Sequence, residues 1–483
     1  MPIFSPKRFQ NAYLPVEQDR SWLVRVFTAL ERSSKGLLFG CRMCGNCILQ
    51  ETAFVCPMTC AKGLRNGFCG EATAERCVVD ASRPCTWLQI FERSERMGRM
   101  DKLLEINAPI NGAQAGHSAW LPLVRFWLDK KQLDLTDLLR HPQKFWQELE
   151  TLFYEFRQPA WWQGDKRYHP PAYQEPVSRL EAALRSQPFV VTTEVEPPIG
   201  CNPDEVFEKC RLVKPYVAGI NFSDNAFATS RMSSLASCKL CLEHGGEAVL
   251  QIQGRDRSRN GILSDAIGAS ALGIRNILCL GGDYHNKAVD VYPAQPDQFD
   301  IDSVQMLWML RRLRDEGRMV DGRQVEERPS YFLGAAGAPT TLKPEYNALR
   351  LEKKINAGAQ FIQTQMVFDI PRFELWLEAC EKRSLLDKAA VLVGLYPPRN
   401  AESAHTMAKE PGIVIPAEML QRMDVAFEKD NQRPAGSPAA DHQRNESHAI
   451  MRELIEKLRG LPGVRGVHLM TGGQEEILPE LLV

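Results

Sequence analysis

Eight short apolar runs, separated by segments of helical periodicity, constrain this chain more than any other feature. They are PFVVTTEVE (188–196), YVAGINF (216–222), AVLQIQG (248–254), NILCLGG (276–282), YFLGAAG (331–337), FIQTQMVF (361–368), AVLVGLY (390–396) and VRGVHLM (464–470). Each is rich in β-branched residues and bounded by Gly, Pro or Asp, the pattern of strands buried on both faces of a parallel sheet. Between them, PDEVFEKCRLV, SVQMLWMLRRLRDEG and EYNALRLEKKINAGA place apolar residues three and four apart, as amphipathic helices do. Eight alternations predict an α/β fold, a (β/α)8 TIM barrel over residues 187–483. A doubly wound open sheet is the rival, but no strand runs into the GxGxxG turn of a dinucleotide fold.

In a barrel, chemistry gathers at the C-terminal ends of the strands. Those ends carry Glu194 and Glu196, Asn221 and Asp224, Gln253 with Arg255 and Asp256, Asp283, Gln365 and Asp369, Tyr396, and Thr471. Some have plain structural readings: a carboxylate in EVEPP can cap a turn, and Asp283 after two glycines suits a turn. Gln251, Gln253, Gln363 and Gln365 are harder to dismiss, because buried strands carry amides mainly where they face a wet or ligand-filled mouth. Burial of Glu194 would raise its pKa toward that of a general acid. The long connection 283–302 lies on the same face.

The stretches TTEVEPP, GIRNILCLGGD, KKINAGAQFIQTQMVFD, GLYPP and GVHLMTGGQEEILPEL, taken in order, resemble the methylenetetrahydrofolate reductases, which are flavin-dependent barrels. The resemblance implies Glu194 as the acid that opens the folate's methylene bridge, and Asp283 as a catalytic residue beside flavin and pterin. It implies Gln365 on the pterin, and Gln251, Gly282, Asp283, Ala336 and Lys354 around the flavin, with Lys354 at its phosphates. Departures also stand out. Gly281 replaces a flavin-contacting arginine, Gln251 a histidine, Gly337 a tyrosine, and Gln474 an arginine expected at the folate. They leave FAD or FMN, and NAD(P)H as donor, open.

Eight of the fourteen cysteines fall between residues 41 and 85: Cys41, Cys44, Cys47, Cys56, Cys60, Cys69, Cys77 and Cys85. The opening CxxCxxC matches the start of a ferredoxin run and predicts one or two [4Fe–4S] clusters, with structural zinc as the alternative. The N-terminus has no apolar export segment, which disfavours a disulfide framework and predicts a cytoplasmic protein. CPMTCAKGLRNGFCG and the residues around it resemble the cysteine-rich domain that accompanies these reductases in some bacteria. That resemblance implies electron delivery, with a possible electron-donor protein as partner.

The expected organisation is therefore a cysteine-rich domain (1–110), an aromatic-rich helical connector (111–186) and the barrel. The connector's tryptophans read as core rather than as a clamp, and 429–446 as an exposed loop. Cys238 and Cys241 read as a packed helical pair. His117, His141 and His169 lack ligand spacing. Lys plus Arg (59) balances Asp plus Glu (60), giving no field for nucleic acid, and no run is long enough for a membrane helix. Oligomers are compatible with this pattern. The expected activity is reduction of 5,10-methylenetetrahydrofolate. A flavin-free folate-binding methyltransferase barrel, or a zinc-stabilised docking module on a reductase barrel, are the other readings.

Overall fold

The computed structural model describes residues 22–121, 140, 141, 143, 162, 164–282, 299–432 and 441–482. Eight parallel strands close a barrel in chain order: β1 (Val190–Val195), β2 (Gly219–Phe222), β3 (Ala248–Gln253), β4 (Asn276–Leu280), β5 (Phe332–Gly337), β6 (Phe361–Met366), β7 (Ala390–Leu395) and β8 (Val464–Met470). Every neighbouring pair is parallel, and β8 returns to β1 with Glu194 beside Met470. All eight predicted runs are strands.

Before the barrel come α1 (Trp22–Phe39), α2 (Thr86–Arg96) and α3 (Arg179–Ser186). The barrel's helices are α4 (Pro203–Val213), α5 (Ser234–Glu243), α6 (Arg259–Ala271), α7 (Ser303–Glu316), α8 (Pro344–Ala357), α9 (Ile370–Glu381), α10 (Ala401–Met407), α11 (Ala417–Asn431), α12 (His442–Arg459) and α13 (Leu478–Leu482). Local chemistry sets their ends. Asp302 and Gln305 form a capping box on α7, whose other end stops at Gly317 in the left-handed region (φ 65°). α11 runs to Asn431 and Asp441 caps α12, so 429–431 and 442–446 are helix ends; the middle of the expected loop, 433–440, lies outside the described residues.

The barrel interior is layered. At its base Leu180, Ala183 and Leu184 of α3 pack with Val190, Val249, Leu278, Phe332, Phe361 and Leu392, so α3 plugs the floor. The next layer is polar. Asn221 Nδ2 donates to Gln363 Oε1 (2.6 Å), and Gln363 Nε2 reaches Asn221 Oδ1 (3.1 Å) and Thr192 Oγ1 (3.3 Å). His468 Nδ1 lies 3.0 Å from Thr192 Oγ1. Burial alone pushes the His468 imidazole down to about 3, so it is neutral. Each member of this network has a partner, which a buried polar layer requires.

The N-terminal part has its own core of Phe68, Trp87, Ile90 and Phe91, continuous with Tyr346 and Leu349 of α8. Trp162 is buried against Trp308 and donates to the Ile106 carbonyl (2.8 Å), so this connector tryptophan is core. The two expected connector helices fall almost entirely outside the described residues.

Candidate active site at the barrel mouth

Above the polar layer, Glu194 projects from β1, and Gln251 Nε2 on β3 donates to its Oε2 at 2.6 Å. Burial raises Glu194 to about 7; the Gln251 amide pulls the other way, and Glu196 adds repulsion. Glu196 pairs with Arg231 at 3.0 Å. Glu194 is thus a carboxyl that changes charge near neutral pH, which suits a general acid.

Around β4 and β5 the mouth lacks bulk. A methyl group on Gly281 would meet nothing within 4 Å, whereas one on Gly282 (φ 96°) would strike Gln253 Oε1 at 2.7 Å. Ala336 is part-exposed beside them. Gly337 faces outward, toward Ile362. On either side of the gap Gln253 Oε1 and Gln365 Oε1 are buried without a hydrogen-bond partner. Two buried amide oxygens without partners at this rim can accept from the N–H donors of a ligand.

The other sequence candidates take varied places. Lys354 lies behind β5, its Nζ on the Ala336 carbonyl at 2.5 Å, and burial drives its pKa well below the ordinary value. Asp224 accepts from Gln253 N (2.9 Å) and pairs with Arg257, bracing the rim. Arg255 chelates Asp256, and Asp369 caps α9. Thr471 Oγ1 reaches the Glu194 carbonyl at 3.5 Å. Asp283 lies outside the described residues. The structure therefore brings Glu194, Gln251, Gly282, Ala336 and Gln365 to one mouth and sets Lys354 behind its wall.

The clustered thiols fall into two groups of four. Cys41, Cys44, Cys47 and Cys56 line one cavity with Glu31 and Lys35, whose side chains pair at 2.6 Å. The loop bearing the first three bends through left-handed conformations at Met43 (φ 50°) and Gly45 (φ 73°). A hydrogen bond to Cys56 lowers Cys41 to about 6, helped by Lys35, while the same bond raises Cys56. Cys60, Cys69, Cys77 and Cys85 form the second group. Burial raises Cys60 to about 12, with Cys69 and Cys85 adding repulsion; burial raises Cys85 to about 11, with Cys69 and Cys77 adding theirs. Among the described residues no disulfide joins the cysteines. Among the described residues no three His, Cys, Asp or Glu side chains stand arranged to hold a metal ion. Thiols in groups of four are the donor type that iron–sulfur and structural zinc sites use. Cys241 pairs with Cys210 of α4, and Cys238 is buried beside them.

The cysteine-rich part seats on the barrel. Asp302, at the start of α7, accepts from Arg65 N (3.2 Å) and Asn66 Nδ2 (2.9 Å). Lys62 Nζ lies 3.4 Å from the Gly282 carbonyl, and a methyl group on Gly70 would lie 3.1 Å from Gln365 Nε2. Arg350 of α8 stands 5.0 Å over the Phe68 ring.

Comparison with known proteins agrees with this architecture. Residues 179–483 match the family model "Methylenetetrahydrofolate reductase", and 23–113 match "Methylene-tetrahydrofolate reductase C terminal". A Caenorhabditis elegans protein described as "Probable methylenetetrahydrofolate reductase (NADPH)" is 29% identical over 219 residues, which are 44% of this chain and 28% of that protein. The chain thus spans little more than a quarter of that relative's length. Among solved structures, a Clostridium thermocellum protein described as binding two copies of 5-methyl-5,6,7,8-tetrahydrofolic acid superposes with a TM-score of 0.42 and 13% identity, over 63% of this chain and 96% of that one. A 2,3-dimethylmalate lyase gives a TM-score of 0.31 and 13% identity, over 55% and 90%. Overlaps this loose carry no functional argument. The family match spans the whole barrel, floor helix included: this chain belongs to the methylenetetrahydrofolate reductase family.

Proposed function

We propose that the barrel reduces 5,10-methylenetetrahydrofolate to 5-methyltetrahydrofolate, with Glu194 as the general acid. The observation that carries this reading is a buried carboxyl raised to about 7 at the C-terminal end of β1, on the rim where two amide oxygens lack partners. Protonated Glu194 donates to a folate ring nitrogen, the bond from that nitrogen to the bridging carbon breaks, and an electrophilic iminium carbon remains. Gln251 holds the Glu194 carboxyl in place and accommodates the carboxylate left after transfer. Gln365 and Gln253 accept from ring N–H groups and fix the pterin plane. A flavin, FAD or FMN, held at Gly281, Gly282 and Ala336 with Lys354 behind, would supply the hydride that completes the methyl group.

The electrons would come from NAD(P)H or through [4Fe–4S] clusters held by the two thiol groups. The cluster route is supported by the seating of the cysteine-rich part on the mouth, with Cys69 one residue from Gly70. Anaerobic purification with a visible spectrum and iron, sulfide, zinc and flavin quantitation tests both. Flavin with iron and sulfide supports the relay; flavin with zinc alone removes the relay and leaves the reductase. A colourless protein that binds methyltetrahydrofolate removes the flavin reading. Glu194→Gln should lower the rate by about 10²- to 10⁴-fold while folate still binds; an unchanged rate contradicts the acid role.

A further inference from the structure

Gly70 and Lys62 join the cysteine-rich part to the rim of the barrel mouth through contacts that do not pack a core. Gly70 sits on the Gln365 amide, where a methyl group would approach Nε2 to 3.1 Å and Cδ to 3.6 Å. Its carbonyl also lies close to Gly412, whose own carbonyl is held by Thr340 Oγ1 at 2.7 Å. At the other side, Lys62 Nζ bonds Glu71 Oε2 (3.1 Å) and approaches the Gly282 carbonyl (3.4 Å). Lys62 is only 4% exposed. Burying an ammonium costs desolvation, and its carboxylate partner offsets that cost.

The orphaned oxygens lie under these same contacts. Gln365 Oε1 is buried and unpartnered although its Nε2 is covered by Gly70, and Gln253 Oε1 is unpartnered against Gly282. We propose that the segment Cys60–Glu71 is the roof of the ligand site in the barrel mouth, with Gly70 and Lys62 as its positioning residues. Having no side chain, Gly70 lets the roof press on the Gln365 amide and leaves Oε1 without a protein partner, to accept from a ring N–H. Lys62 ties the end of β4 to the roof through the Gly282 carbonyl and so sets the height of the slot. The ligand class is a planar nitrogen heterocycle with N–H donors on its edge. This deepens the folate reading given above and rests on it.

The test uses the full-length protein, purified anaerobically, and titrates it with 5-methyltetrahydrofolate. Gly70→Leu should weaken binding at least tenfold and Lys62→Met at least threefold, with metal content and circular dichroism unchanged. Because Gly70 acts through Gln365, Gly70→Leu in a Gln365→Ala background should cost less than twofold. Wild-type affinity in both single variants overturns the roof, as does a full tenfold penalty in the Gln365→Ala background. If Gly70→Leu fails to fold, Lys62→Met decides. A wild-type protein that binds no folate removes the folate reading and the roof together, whereas unaffected variants of a folate-binding protein remove the roof alone.

Discussion

Replacing Gln251 by methionine isolates the term that opposes burial at Glu194. In the wild type, desolvation raises the carboxyl and the 2.6 Å hydrogen bond from Gln251 lowers it, for a net value of about 7. Methionine keeps the length of the side chain and removes the donor. A hydrogen bond to a charged group contributes about 1.5–3 kcal/mol. One pKa unit corresponds to about 1.36 kcal/mol, so losing this bond should raise Glu194 by about one to two units. The acid works in its protonated form, so the rate is full below the pKa and falls above it. The alkaline limb of kcat/KM for folate reduction should therefore move from about pH 7 to about pH 8–9. Glu194→Gln should abolish that limb altogether. A limb that stays near 7 in Gln251→Met, or moves toward acid, would refute the assignment of Glu194 as the titrating acid.

The same shift affects stability. Glu194 holds its proton to about 7 in the fold, against 4.5 ordinarily, so stability is full below 4.5 and is lost as pH rises to 7. The difference amounts to about 3 kcal/mol, and Glu194→Gln should regain it at pH 8 but not at pH 4, read from urea unfolding midpoints. Asp302→Ala removes the α7 cap and both acceptor contacts to Arg65 and Asn66. It should cost about 4 kcal/mol and expose the cysteine-rich part to limited proteolysis; resistance equal to wild type would contradict the latch. Asn221→Leu strips Gln363 of its 2.6 Å partner inside the barrel. A loss of about 2 kcal/mol is expected in urea unfolding, with part recovered by adding Gln363→Leu.

The barrel was legible because its signal is local. A parallel strand buried on both faces must be apolar along its length, so runs such as NILCLGG and AVLVGLY announce themselves, and the spacing of PDEVFEKCRLV marks the helix between two of them. Glu194, Gln251 and Gln365 were legible for the converse reason, as polar residues inside such runs. Their partners were not. That Gln251 meets Glu194 depends on how β3 stands across the mouth from β1, and alternation along one strand does not encode that. The neutral His468 was missed because one histidine in an apolar run has no spacing to read. Polar composition hid the helix ends at 429–431 and 442–446, since exposed helix termini and loops draw on the same residues. The seating of the cysteine-rich part was hidden most deeply. Its contacts join residues more than two hundred positions apart, Lys62 to Gly282 and Gly70 to Gln365. The residues involved are a lysine and a glycine, which any surface loop could carry. In retrospect one trace exists: the glycine after Cys69 is followed by a carboxylate that neutralises Lys62, so one short segment supplies both the bare contact and the balanced charge. A cysteine-rich domain built only to hold metal requires neither; one that closes over a neighbour's binding site requires both.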